Sequence, residues 1–179
     1  MFSISAFGAT LLMLIGQIAG QNIAFTAVIE NKQTIPEGET LKYEKVLTNN
    51  GLGYNKEDGV FTAPKKGVYV FSINALSTEG EKFLINLYRN DNYIVSAYGT
   101  GVAAGFGAGS NTVVLAINKG DRIYVKAPRE VFLSGSPDEI YASFTGFIIL
   151  QKDEKPFESV DTSNSELEKS VKKRIPFMF

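Results

Sequence analysis

The sequence predicts an all-β chain, an antiparallel jelly-roll sandwich of two packed sheets. Three observations lead there. Short runs rich in β-branched and aromatic residues recur from Asn22 to Leu150, and clusters of Gly, Asn, Asp and Pro separate them at sandwich-like spacings. No helical 3.6-residue apolar period interrupts them before residue 151. The 179 residues suit one domain, enough to bury roughly two thirds of the unfolded surface.

Taken in order, residues 1–20 read as a signal peptide. No charged side chain occurs from Met1 to Gly20, and the apolar run Ala6 to Ile15 is followed by the small residues Ala19 and Gly20. A run of that length falls short of the about 20 residues a bilayer span needs. The expectation is a secreted, extracellular protein without a transmembrane segment, its mature chain starting at Gln21.

Residues 21–150 form the expected domain. Its clearest strands are 23–29, 67–76, 83–88, 111–117, 122–127 and 141–150. In the second, period-two alternation puts Tyr69, Phe71, Ile73 and Ala75 on one face, which marks that face as core. Asn49-Asn50-Gly51, Glu57-Asp58-Gly59, Asn90-Asp91-Asn92, Asn118-Lys119-Gly120-Asp121 and Ser134-Gly135-Ser136-Pro137 supply residues that tolerate the positive φ of tight turns. In the last strand Phe144, Ile148 and Leu150 point one way and Tyr141, Phe147 and Ile149 the other. A strand apolar on both faces either lies centrally between two sheets or packs its second face on another subunit.

From residue 151 the composition changes. Six acidic and six basic side chains are mixed with Ser and Thr up to Phe179, which predicts a polar C-terminal tail over 151–179. It is either flexible or a short helix over about 165–173, with Ser163 and Glu166 as a capping box. Lys172-Lys173-Arg174 before the apolar ending reads as a processing site or a basic membrane contact.

What is missing restricts the chemistry. There is no cysteine and no histidine, so Ser-His-Asp triads, Cys-His dyads and histidine or thiolate metal sites are impossible. A net charge of -1 offers no basic face for nucleic acid. The Gly-rich segment 99–109 misses the spacing of a dinucleotide fingerprint, and a strand rather than a helix follows it. It reads as a mobile loop or a small-residue strand. The adjacent carboxylates Glu57-Asp58 and Asp138-Glu139 read as solvated turn formers. No enzyme is expected.

The stretch from Tyr43 to Ile73 resembles the aromatic signature of the complement C1q globular-head domain family. Asn49, Tyr54, Phe61, Gly67, Tyr69 and Phe71 stand at its positions, with Tyr43 in place of the usual Phe and Ile73 in place of a usual Phe or Tyr. Downstream, Gly120 to Val125 is similar to the family's Gly-Asp turn and strand. Phe144, Gly146 and Phe147 are similar to its closing Phe-x-Gly-Phe strand and complete the expected core signature. The resemblance spans about residues 22–150.

The resemblance implies a ten-stranded jelly roll like that of tumour necrosis factor, assembled as a homotrimer, here without a collagen stalk. It implies a recognition protein for glycans, anionic surfaces or proteins, of the kind used in innate immunity. The alternative is a secreted trimeric signalling or adhesion ligand for a cell-surface receptor. Relatives hold calcium with carboxylates from a segment that here, residues 92–120, contains none, so no metal or other cofactor is expected. Arg89, Tyr93, Tyr98, Lys126 and Arg129 are the candidate ligand contacts. They set aromatic faces or charged donors, the guanidinium forks among them, at strand ends and loops, where a carboxylate-bearing sugar would meet them.

Overall fold

A computed structural model of the chain describes residues 22–102 and 104–152. The expected signal peptide, the start at Gln21, and the tail from residue 153 with its helix and basic cluster lie outside the described residues.

The described chain is all β. One sheet has the order β3 (Lys45–Asn50), β1 (Ala24–Ile29), β12 (Ala142–Gln151), β6 (Gly67–Leu76), β9 (Ala108–Ile117). The other runs β4 (Tyr54–Asn55), β5 (Val60–Thr62), β10 (Arg122–Lys126), β7 (Lys82–Arg89), β8 (Asn92–Thr100). All pairings are antiparallel. These ten strands make the expected sandwich; a two-stranded ribbon of β2 (Gln33–Ile35) and β11 (Val131–Leu133) raises the count to twelve among the described residues. Runs of two or three residues such as β2, β4 and β11 carry too little periodicity to stand out in a sequence.

The core lies between the two five-stranded sheets. Tyr69, Phe71, Ile73 and Ala75 are buried along β6 and alternate with half-buried partners, as the period predicts. Phe25 of β1 stacks on Phe61 at 4.7 Å between ring centroids and meets Phe144 edge-on at 4.8 Å. Such pairs add about 0.5–1.5 kcal/mol beyond burial of their area. Gly146 is required by this cluster, since a Cβ there would sit 2.4 Å from the Phe25 ring and 2.7 Å from that of Phe71. Asn49 closes the turn into β4, its side chain donating to the Tyr54 carbonyl at 2.8 Å and accepting from the Tyr54 N–H at 3.1 Å. The Tyr54 hydroxyl donates to the Tyr43 carbonyl and accepts from its N–H, each at 3.2 Å.

Two expectations for the last strand are corrected. Phe147 is not a core residue: it alternates with buried Phe144 and Gly146 and is 40% exposed on the outer face of the first sheet. Leu150 does not share the face of Phe144, because a bulge between Ile148 and Leu150 shifts the register and leaves it exposed opposite Val68. β12 is indeed central, between β1 and β6, and it runs one residue past the boundary expected at Leu150.

The Gly-rich segment is neither wholly loop nor wholly strand. It ends β8 at Thr100 and begins β9 at Ala108, and between these strands the chain passes from one sheet to the other. A Cβ at Gly99 or Gly109 would meet backbone atoms at 2.7 and 2.2 Å, so bare backbone is needed for the two strands to come this close.

Candidate functional site

The outer face of the second sheet gathers most of the chemistry that the core does not use. Strand alternation puts Phe83, Ile85 and Leu87 of β7 into the core and turns Leu84, Asn86 and Tyr88 outward. On β10, Ile123 and Val125 point inward, so Arg122, Tyr124 and Lys126 share the outer face. Register then does what spacing alone does not: Tyr124 faces Tyr88, and Tyr88 faces Tyr93 of β8.

The result is a ladder of three tyrosines across three strands. Tyr124 and Tyr88 stack with centroids 5.8 Å apart and planes 9° from parallel. Tyr88 and Tyr93 meet edge-on at 6.2 Å. The Lys126 ammonium lies 5.5 Å from the Tyr124 centroid and 5.8 Å from that of Tyr88, and the Arg122 guanidinium 5.7 Å from Tyr124. At partly solvated sites each such contact contributes about 0.5–1 kcal/mol.

Hydrogen bonds fix the ring edges. The Tyr124 hydroxyl donates to the Asp91 carboxylate at 2.5 Å. Burial, reinforced by that carboxylate, pushes its pKa up to about 12, so it stays a donor at neutral pH. The Tyr93 hydroxyl pairs with that of Ser96 at 2.9 Å, and Ser96 donates to the Asn86 side chain at 2.8 Å. Asp91 is positioned by the β7–β8 turn, where Asn90 and Asp91 both take positive φ, the geometry of a two-residue hairpin with a right-handed twist.

Of the five residues expected to contact ligand, the structure joins two to this ladder. Tyr93 forms its exposed end and Lys126 lies over its rings. Tyr98 is exposed on the same face but pairs with Leu84, four residues along β7 from Tyr88, or about 13 Å. Arg129 is exposed in the turn beyond β10 and is not joined to the ladder. Arg89 is engaged within the domain, its guanidinium 2.6 Å from the Asp121 carboxylate. Asp121 also accepts from the Asn90 side chain at 2.6 Å and the Asn118 N–H at 2.8 Å. This network holds two hairpins together, so Arg89 has a structural duty. Tyr124, Arg122 and Asp91 were missed by sequence reasoning. The alternation Arg122-Tyr124-Lys126 was a usable signal; the partners opposite them were not.

Among the described residues no group of three or more carboxylates is placed to hold a metal ion, and no helix is long and apolar enough to cross a membrane.

The architecture and this chain's signature residues can be set beside known proteins. The globular domain of a zebrafish complement 1qA protein is similar over 73% of this chain and 99% of its own, with a TM-score of 0.60 at 19% identity. The tumour necrosis factor Eiger from S. frugiperda is similar over 78% of this chain and 99% of its own, with a TM-score of 0.63 at 10% identity. Murine APRIL is similar over 69% and 98%, with a TM-score of 0.54 at 16% identity. At such identities the likeness is one of fold. The C1q domain family model matches residues 24–149, from the first residue of β1 almost to the end of β12, and the chain belongs to the C1q domain family.

Proposed function

We propose that this chain is a secreted recognition protein that assembles as a homotrimer, binds an extracellular glycan or protein ligand through the outer face of its second sheet, and catalyses nothing. The observation that carries the reading is the division of labour between the two outer faces.

On the first sheet the registers align Ala24, Phe147, Val70 and Val114 in one row across four strands. Phe147 and Val114 are 40% and 57% exposed, and Leu47, Ile149 and Leu150 are also exposed large apolar residues. An apolar sheet face of this kind is the mark of a partner surface, and further copies of the chain are its occupants in this reading. The second sheet instead offers aromatic rings, cations and hydroxyls, the combination that recognises a polar ligand by stacking and charge-assisted hydrogen bonds. Three subunits presenting it together would raise avidity for a repetitive surface by about 10² to 10⁴.

Light scattering on the purified protein should give three times the subunit mass, and Phe147→Asp should reduce it to one. Because Phe147 lies outside the core, the variant should retain its β-rich circular dichroism. The wild type and this variant are then offered to a glycan array and to cell-surface extracts. Strong binding by the trimer and weak binding by the monomer, both lost in Tyr93→Ala with Lys126→Ala, is the expected result. Saturable binding to one receptor and to no glycan would move the reading to a signalling or adhesion ligand. Turnover of any ligand would remove the claim that the protein only binds.

A further inference from the structure

At the end of the sandwich where β6 finishes at Leu76 and β12 begins at Ala142, opposite the end where β12 leaves at Gln151, the connections between strands enclose a cavity of about 460 Å³. Backbone hydrogen bonds tie its walls to the sheets. The Ser134 N–H donates to the Leu76 carbonyl at 2.9 Å. Gly107 donates its N–H to the Ser77 hydroxyl at 2.8 Å, and its carbonyl accepts from the Ser77 N–H at 2.9 Å, which clamps the segment carrying Phe106 to the end of β6. Ser136 and Glu139 exchange two backbone hydrogen bonds of 3.1 Å and so close the turn that presents Glu139.

Lys32, Phe106, Ser134, Glu139 and Tyr141 all line this cavity. Among the described residues the Lys32 ammonium forms no hydrogen bond or ion pair, so the two opposite charges of the lining share one space without meeting. One cation and one anion offer no net field to a purely anionic ligand; they suit a zwitterion. The Glu139 carboxylate stands beside the Tyr141 hydroxyl. The Phe106 and Tyr141 rings are 55% and 44% exposed, which leaves ring surface for a ligand. A carboxylate accompanied by two rings suits a methylated ammonium, whose diffuse and weakly hydrated charge favours aromatic faces. The Ser134 hydroxyl is buried and has no hydrogen-bond partner among the described residues, a condition native structures leave to few groups. That spare donor and the Lys32 ammonium suit the oxygens of a phosphate. The volume falls within the about 300–1,000 Å³ of ligand pockets.

We propose that this cavity is a binding site for the phosphocholine group, free or on a lipid, and that it works independently of the tyrosine ladder, with which it shares no residue. The Glu139 carboxylate and the Phe106 and Tyr141 rings take the trimethylammonium end, and the Lys32 ammonium and Ser134 hydroxyl take the phosphate.

The test uses calorimetric titration of the whole protein with phosphocholine, phosphoethanolamine, choline chloride and sodium phosphate. Phosphocholine should bind. The other three, each lacking the methyl groups or one of the two charges, should bind at least about tenfold more weakly. Phe106→Ala and Glu139→Gln should each weaken phosphocholine by about tenfold or more. Tyr93→Ala with Lys126→Ala, in the ladder, should leave it unchanged. Thermal melts check that the variants fold, and Lys32→Gln, on a separate turn, replaces either single variant that does not. Once phosphocholine binds, sedimentation with phosphatidylcholine vesicles separates the sources: pelleting assigns the lipid headgroup, and protein left in solution assigns the free group. No binding of phosphocholine, phosphoethanolamine or sodium phosphate binding as tightly, unchanged affinity in the Phe106 and Glu139 variants, or an equal loss in the ladder variant would each overturn the proposal.

Discussion

The rings between the sheets and the rings on the outer face of the second sheet use the same stacking geometry for different ends. Phe25, Phe61, Phe71 and Phe144 are almost fully buried, touch one another at 4.7 to 6.3 Å, and meet no charge. Tyr88, Tyr93 and Tyr124 are spaced 5.8 to 6.2 Å apart, with two cations over them and a carboxylate at one hydroxyl. Burial separates the first group from Tyr88 and Tyr93, whereas Tyr124, at 3% exposed, is covered by its cations and its neighbouring ring. A ring removed from water stabilises the fold in proportion to its area, whereas a ring left half wet keeps a face and an edge for a ligand.

The largest way to break this comparison is truncation at each site. Phe144→Ala should lower unfolding stability by about 3–5 kcal/mol, because it opens a cavity among rings that cannot collapse around it. Tyr93→Ala, at 57% exposed, should stay within about 1 kcal/mol. Chemical denaturation of both variants measures the contrast, and equal losses would mean the ladder is part of the core after all.

Next in size is Gly146→Ala. The added methyl has to displace the Phe25 and Phe71 rings, and overpacking of that kind costs about 1–3 kcal/mol. A neutral outcome in the same denaturation experiment would show that the cluster is loosely packed.

Alkali sharpens the comparison through the hydroxyls. Burial raises the pKa of Tyr43, Tyr54, Tyr69 and Tyr124, with Tyr69 and Tyr124 reaching about 12 from an ordinary 10.0. Above pH 10 the unfolded chain has lost protons that the folded chain still holds, so stability is complete below about pH 10 and falls as pH rises toward 12. Each such tyrosine removes up to about 1.4 kcal/mol per pH unit in that window. Circular dichroism followed as pH is raised toward about 12 measures the decline.

The smallest effect has the opposite sign. Among the described residues the buried Tyr43 hydroxyl has no hydrogen-bond partner, a condition that costs about 1–3 kcal/mol when a polar group is desolvated. Tyr43→Phe should therefore stabilise the domain, by about 1 kcal/mol, as a rise in melting temperature. A fall would mean that the hydroxyl has a partner, such as a buried water.

Much of the fold was legible because alternation needs only neighbours in the chain. The bounds of β6 followed from turn residues and period two, and those of β7, β10 and β12 to within one residue at each end. Period two also set Phe147 on the face opposite Phe144, where it is exposed, and it was the family resemblance alone that placed it in the core signature. The site was less legible. Lys126 and Tyr93 were chosen for their chemistry, and Arg89 for the same reason, yet Arg89 meets Asp121, thirty-two positions away in the chain. No local pattern reports such a partner.

The sequence by itself determined the all-β class, the absence of histidine and cysteine chemistry, and the family, because composition and spacing are properties of the chain alone. Only the tertiary structure decided which strands lie side by side. Registers across β7, β8 and β10 built the tyrosine ladder from residues 88, 93 and 124. The ladder depends on long-range antiparallel pairing, in which a one-residue shift would turn every side chain to the opposite face.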